Sequence, residues 1–140
     1  MCDPSSLYSL GKVRAVQIDQ FHDRLAAVRK RFASSLMDKI NETSAVLPDL
    51  GGHGAEVVEA VAASYRRIHG ICGVGGAVGF PATGLAAKRV EDGLIAAYRA
   101  RRGLAAEEVA DLENTLAALS AAAQAELALP DPPSTNTIEE

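Results

Sequence analysis

Within the string Tyr65-Arg66-Arg67-Ile68-His69-Gly70-Ile71-Cys72-Gly73-Val74-Gly75-Gly76-Ala77-Val78-Gly79 a single imidazole sits among residues too small to cover it. If the segment is helical, at about 100° per residue, Val61, Ser64, Ile68, Ile71 and Gly75 define a core side and His69 falls roughly a right angle or more from its centre. Ala62, Arg66, Gly73 and Gly76 share the stripe of His69. The ring is therefore expected to face solvent on an open platform, with Arg66 as the neighbouring cation. A neutral imidazole nitrogen is a nucleophile, and phosphoryl transfer asks mainly for alignment and charge stabilisation. The pattern is that of a phosphoryl acceptor that needs no triad, no metal and no cofactor of its own.

Other candidates for chemistry are weaker. His22 lies on a charged helical face and His53 in a glycine loop, settings in which solvated side chains are the rule. The glycines from Gly73 to Gly79 miss the GxGxxG spacing, and no apolar strand precedes them, so a nucleotide-binding loop is not expected. Cys2 and Cys72 form neither a disulfide framework nor a CxxC clamp. Cys72 reads as a small residue tolerated near a helix end. The 14 basic residues are interspersed with 18 acidic ones, for a net charge of -4, so the basic stripe of a nucleic-acid binder is missing. Lys88, Arg89, Arg99, Arg101 and Arg102 are candidates for the rim of a surface that docks an acidic partner.

The elements that must position His69 are helices. The chain is 48% hydrophobic but only 4% aromatic, without Trp, and its second half is rich in alanine, which suits packed helices better than a sheet. Ile18, Phe21, Leu25, Val28, Phe32, Leu36, Ile40 and Leu47 draw an apolar stripe down a first helix beginning near Asp19. Pro48 to Gly54 reads as a loop. A second helix carries Val57, Val61, Ser64, Ile68, Ile71, Gly75 and Val78 on one side. Gly79 and Phe80 break it, and Pro81 opens a third helix that runs to about Arg102, where Gly103 stops it. Val109, Leu112, Leu116, Leu119, Ala123 and Leu127 form the seam of a fourth. Short connections favour antiparallel neighbours. The expectation is an all-α protein, an antiparallel up-down four-helix bundle over residues 19–129. Residues 1–18 would be a lead-in with a possible helical extension, and 130–140 a disordered tail.

From Ile68 to Ala87 there are 20 residues without Asp, Glu, Lys or Arg, long enough to cross a bilayer. His69, Pro81, Thr83 and six glycines in that run make its transfer into lipid poor, so no membrane span is expected. No secretory signal is visible either. With its thiols read as reduced, the chain is expected to be cytoplasmic.

His69, Gly73 four residues on, Gly79 ten on and Glu91 twenty-two on, with Pro81 two residues past the second glycine, resemble the signature of the histidine-containing phosphotransfer (Hpt) domains of multistep two-component signalling. The likeness covers about Gln20 to Leu129. It implies a four-helix bundle in which His69 is the phosphoacceptor and Gly73 leaves room for the phosphoryl group and a docking receiver domain. The family usually has Lys, sometimes Gln, where this chain has Cys72. The support expected around the phosphoryl group is thus Arg66, Cys72, Gly73 and Gly76, with Arg66 supplying the charge that Cys72 cannot. The resemblance implies a monomeric phosphocarrier without kinase activity, whose partners are receiver domains of response regulators or hybrid histidine kinases. The rival reading is a helical interaction or scaffold protein, derived from such a domain, that no longer transfers phosphate.

Overall fold

A computed structural model describes residues 4–130. Four helices follow one another: α1 Pro4–Val46, α2 Ala55–Gly75, α3 Pro81–Ala100 and α4 Ala106–Leu127, with a 3-10 turn at Leu47–Leu50 after α1. Each helix packs on its sequence neighbours, and α1 also packs on α4, while the Cα atoms of the diagonal pairs α1 with α3 and α2 with α4 stay more than 8 Å apart among the described residues. This closed cycle is the up-down four-helix bundle expected from the four apolar stripes. Among the described residues no helix is long and apolar enough to cross a membrane.

The first helix begins much earlier than Asp19. It is continuous from Pro4 over 43 residues, so from Pro4 onward the lead-in is the helical extension that the sequence leaves possible. Pro4 sits where a first-turn proline loses no intrahelical donor, and the lone Gly11 is too small a penalty to interrupt a helix of this length. At 1.5 Å per residue α1 is roughly 65 Å long, about twice its partners. Ile18 and Phe21 are accordingly 56% and 62% exposed, whereas Phe32, Leu36 and Ile40 further along the same stripe are buried. The expected tail from 131 onward lies outside the described residues.

The core is built from all four helices, with Ile68 and Ile71 of α2, Val90 and Leu94 of α3, and Leu112 and Leu119 of α4 fully enclosed beside Leu36 and Ile40. Arg67 ties α2 to α1: its Nη1 donates to Thr43 Oγ1 at 3.2 Å, and its Nε lies 3.3 Å from Glu42 Oε2. Helices α2 and α3 approach most closely at glycines. A Cβ on Gly75 would stand 3.3 Å from the Gly84 backbone, and one on Gly84 would stand 3.2 Å from the Gly76 nitrogen. The absence of side chains there lets the two backbones meet.

Helix α2 stops at Gly75, short of Val78. The turn closes with the Phe80 N–H donating to Gly75 O at 2.7 Å and with Gly79 at φ 92°, while Val78 is still buried, from the turn. Pro81 opens α3 as expected. The start of α3 has no cap of its own; Glu126 from α4 supplies one, accepting the Thr83 N–H at 2.6 Å and the Ala82 N–H at 3.3 Å. A carboxylate on those orphan donors also suits the positive end of the helix dipole.

At the far end of α3 the expected roles are exchanged. The helix ends at Ala100, and Arg101, not Gly103, takes the left-handed conformation at φ 54°. The Arg102 N–H then donates to Ala97 O at 3.1 Å, the closing bond of a Schellman cap. Gly103 serves packing instead. A Cβ there would collide with the Gly52 carbonyl oxygen and stand 2.8 Å from Val57 Cγ1. That close approach lets the Leu104 N–H reach Leu50 O at 2.8 Å, a bridge which joins the two loops at this end of the bundle.

Candidate functional site

His69 lies in the last two turns of α2, on the side facing away from the core. Val61, Ser64, Ile68, Ile71 and Gly75 are all buried, and the His69 side chain is 63% exposed, the disposition that helical spacing predicts. Gly73 and Gly76 are exposed, and a Cβ at either, or at Gly70, would meet nothing within 4 Å. Gly70 and Gly73 thus cost the helix roughly 0.5–1 kcal/mol each without the close packing that accounts for Gly75. What they leave is open space beside the ring.

The other edge of the ring is anchored. Nδ1 of His69 lies 3.1 Å from Oε1 of Glu91 on α3, and the Glu91 side chain is only 6% exposed. A carboxylate accepts and cannot donate, so Nδ1 carries the proton and the lone pair is left on Nε2, pointing to solvent. Tyr65, one turn before His69, donates its hydroxyl to the same oxygen at 3.3 Å. Its ring stacks on the imidazole at 5.7 Å between centroids, and on Tyr98 of α3 at 4.2 Å, each with 14° between planes. The imidazole is therefore fixed by a hydrogen bond at one nitrogen and by an aromatic face.

Burial works to raise the Glu91 pKa, but hydrogen bonds from His69 and Cys72 and the charge of Lys88 outweigh it and hold the carboxyl below its ordinary value. Cys72 moves the other way: burial first, then the Glu91 carboxylate, push its thiol upward, so it is a neutral group beside the anion and no thiolate nucleophile. Tyr65 is likewise raised, by desolvation and by Glu91. Burial comes first for both neighbours, and the one enclosed carboxylate of Glu91 adds to it in each.

The sequence-expected residues are not all brought together. Cys72 shares the Glu91 carboxylate with the ring, and Gly73 and Gly76 are exposed one and two turns beyond His69, toward the end of α2. Arg66 pairs with Glu59 instead: its Nη2 lies 3.0 Å from Oε1, seven residues back, in a pair exposed on both sides. A further cation acts on the site from α3. Gly75 meets Gly84 and His69 meets Glu91 across the antiparallel pair, which sets Lys88 level with Cys72, and Lys88 acts electrostatically on both Cys72 and Glu91. Its ammonium pairs with exposed Asp92 at 3.1 Å.

Glu91 stood in the signature without a role at the site. A physical flag was present: it is an acid within the apolar stripe Ala87, Val90, Leu94 and Ala97, a place where an ionised group needs a partner. Among the described residues no cluster of His, Cys, Asp and Glu could hold a metal ion.

No family model, curated protein or solved structure matches the chain. The chemistry of the site rests on its own geometry. An exposed imidazole with Nδ1 held by a buried carboxylate and Nε2 free can attack an electrophile from solvent and can hold what it has bound.

Proposed function

We propose that the protein is a histidine phosphocarrier of the Hpt type, relaying a phosphoryl group between receiver-domain aspartates through Nε2 of His69. The observation that supports this most is the His69 to Glu91 hydrogen bond at 3.1 Å, because it selects the nucleophilic nitrogen and leaves it on the solvent side. In the forward step the Nε2 lone pair attacks the phosphorus of an aspartyl phosphate. The N–P bond forms, the P–O bond to the aspartate breaks, and the aspartate leaves as a carboxylate. The ring, protonated at Nδ1 and now substituted at Nε2, becomes cationic, and the Glu91 carboxylate opposes that charge at hydrogen-bond distance. The return step reverses these changes on a second aspartate.

Lys88 is the cation this reading assigns to the phosphoryl oxygens, in the place expected of Arg66. Any Mg²⁺ belongs to the receiver, and the reading makes the protein a carrier and not a kinase. Its partners would be cytoplasmic receiver domains of response regulators or hybrid kinases. The test is incubation of the full chain with receivers phosphorylated on aspartate. Acid-labile, base-stable label appearing on the protein, and absent from His69→Gln, is the expected result. A wild-type protein that takes no label from any receiver of its source organism would leave the scaffold reading standing instead.

A further inference from the structure

Of the five basic residues that the sequence sets at a docking rim, Arg89 is exposed on α3 and outside the cleft between α2 and the end of α3, and the structure divides the other four. Arg102 is committed to Glu108, at 2.7 and 3.2 Å, in a contact that also caps the start of α4 through the Ala105 N–H. Lys88 pairs with Asp92 beside the His69 site, in an exposed contact outside this cleft. Arg99 and Arg101 have no acidic partner among the described residues. They line the cleft, of about 330 Å³, together with Arg66, Glu59 and Tyr98.

The cleft holds three guanidinium groups against the single carboxylate of Glu59, in a chain whose net charge is -4. Arg66 is offset by Glu59, which leaves Arg99 and Arg101 as like charges with no acid to offset them among the described residues. Arg101 adds a conformational cost, since its φ of 54° is a value that glycine or asparagine adopts far more readily. A cationic side chain is thus kept at a position where backbone preference favours its loss. The cleft is also joined to the site already described. Tyr98 lines it and stacks on Tyr65, which stacks on His69, so one partner lying over the α2 and α3 face can cover both.

We infer that this cleft binds carboxylate side chains of an acidic segment on the protein that docks at His69, with Arg99 and Arg101 as its principal contacts. The guanidinium fork matches a carboxylate bidentately, and a positive cleft on an acidic protein steers an acidic partner to one face. The inference rests on the proposed function for the identity of the partner, but the binding chemistry can be tested without it.

The experiment titrates the full chain, labelled with ¹⁵N, with a hexaglutamate peptide and follows the arginine Nε–H signals. Saturable shifts at Arg99 and Arg101, with smaller ones at Arg66, are expected, and they should weaken steeply with salt. Arg99→Gln with Arg101→Gly should bind the peptide at least tenfold more weakly; glycine is chosen at 101 because it suits the left-handed cap and keeps the fold. Shifts at exposed Arg24 and Arg31 on α1 equal to those in the cleft would overturn the inference. So would inorganic phosphate giving the same shifts at the same charge concentration, because the cleft would then be a site for small anions. His69→Gln should bind the peptide as the wild type does. Peptide binding without any labelling of His69 would remove the phosphocarrier reading and leave the cleft, whereas labelling without peptide binding would do the reverse.

Discussion

Nδ1 of His69 and Oε1 of Glu91 lie 3.1 Å apart, joining a ring that faces solvent on α2 to a carboxylate enclosed on α3. The contact does two things: it holds the ring against the bundle, and it decides which nitrogen is left to react. Replacing Glu91 by Gln keeps the shape and removes the charge. The amide can also present its NH₂ to Nδ1, which would select the wrong tautomer. Loss of a charge-assisted hydrogen bond of this kind should slow transfer from a phosphorylated receiver by on the order of ten- to a hundredfold. His69→Gln should abolish it. A Glu91→Gln variant that transfers at the wild-type rate would show that Glu91 only positions α3.

The same carboxylate gives a pH signature in stability. Its folded pKa is depressed below the ordinary 4.5, so the unfolded chain binds the proton more readily. The stabilisation from Glu91 is fully present above about 4.5 and is lost as pH falls through the lower folded value. Urea unfolding of wild type and Glu91→Gln between pH 7 and 3 should show a gap that is constant at neutral pH and closes in the acid range. A gap that widens on acidification would reverse the assigned sign.

The apolar stripes made most of this architecture readable. Val61, Ser64, Ile68, Ile71 and Gly75 were sufficient to orient α2 and to bring His69 to the surface, because a helix leaves one rotational freedom and five positions fix it. What spacing along one helix cannot supply is the partner across the interface. Glu91, Tyr98 and Lys88 all come from α3, and their meeting with α2 depends on the register set where Gly75 touches Gly84. Arg66 shows the converse: its place on the His69 stripe was right, but its side chain had a closer acid in Glu59. Residues before Ile18 show no clear apolar period, so the stripe alone places the start of α1 near Asp19 and not at Pro4.

The open glycines beside His69 should trade stability for access. Gly73→Ala removes backbone entropy from the unfolded chain and meets nothing within 4 Å in the fold, so it should stabilise by about 0.5–1 kcal/mol. Gly73→Leu should also fold normally by circular dichroism but place a branched side chain where the phosphoryl group and its donor approach. Thermal melts and transfer rates on both variants check this. Normal transfer by Gly73→Leu would mean that the open platform has no part in access.

Gly103 is the opposite case. Its Cβ would meet the Gly52 carbonyl oxygen and the side chain of half-buried Val57, and the first of these is backbone. Gly103→Ala should therefore destabilise by about 1–3 kcal/mol, the usual range for forced overpacking, whereas Gly52→Ala is opposed only by its φ of 101°. Chemical denaturation of the two variants separates steric from conformational cost. A loss under 1 kcal/mol at Gly103 would mean that the loop moves aside without losing the Leu50 to Leu104 bridge.

The last prediction concerns which cation serves the phosphoryl group. Sequence position favours Arg66, and packing favours Lys88, level with Cys72 on the facing helix. The Lys88 ammonium is shared with Asp92, an exposed pair at 3.1 Å that is worth little in solvent and can yield to a dianionic phosphoryl group at closer range. Removing the cation should cost on the order of 1–2 kcal/mol of transition-state stabilisation, a roughly five- to thirtyfold slower step. Single-turnover transfer from one saturating phosphorylated receiver, measured for wild type, Lys88→Ala, Arg66→Ala and the double variant with folding checked in each, isolates this step. Lys88→Ala should lower the saturated rate. Arg66→Ala should leave that rate within about twofold and raise the receiver concentration needed to reach it, since its guanidinium faces the acidic-segment cleft. In Lys88→Ala, a second substitution Cys72→Lys should restore the rate by returning an ammonium to the same level from α2. If Arg66→Ala lowers the saturated rate and Lys88→Ala does not, the assignment to α3 is wrong, and Arg66 must exchange Glu59 for the phosphoryl group during transfer.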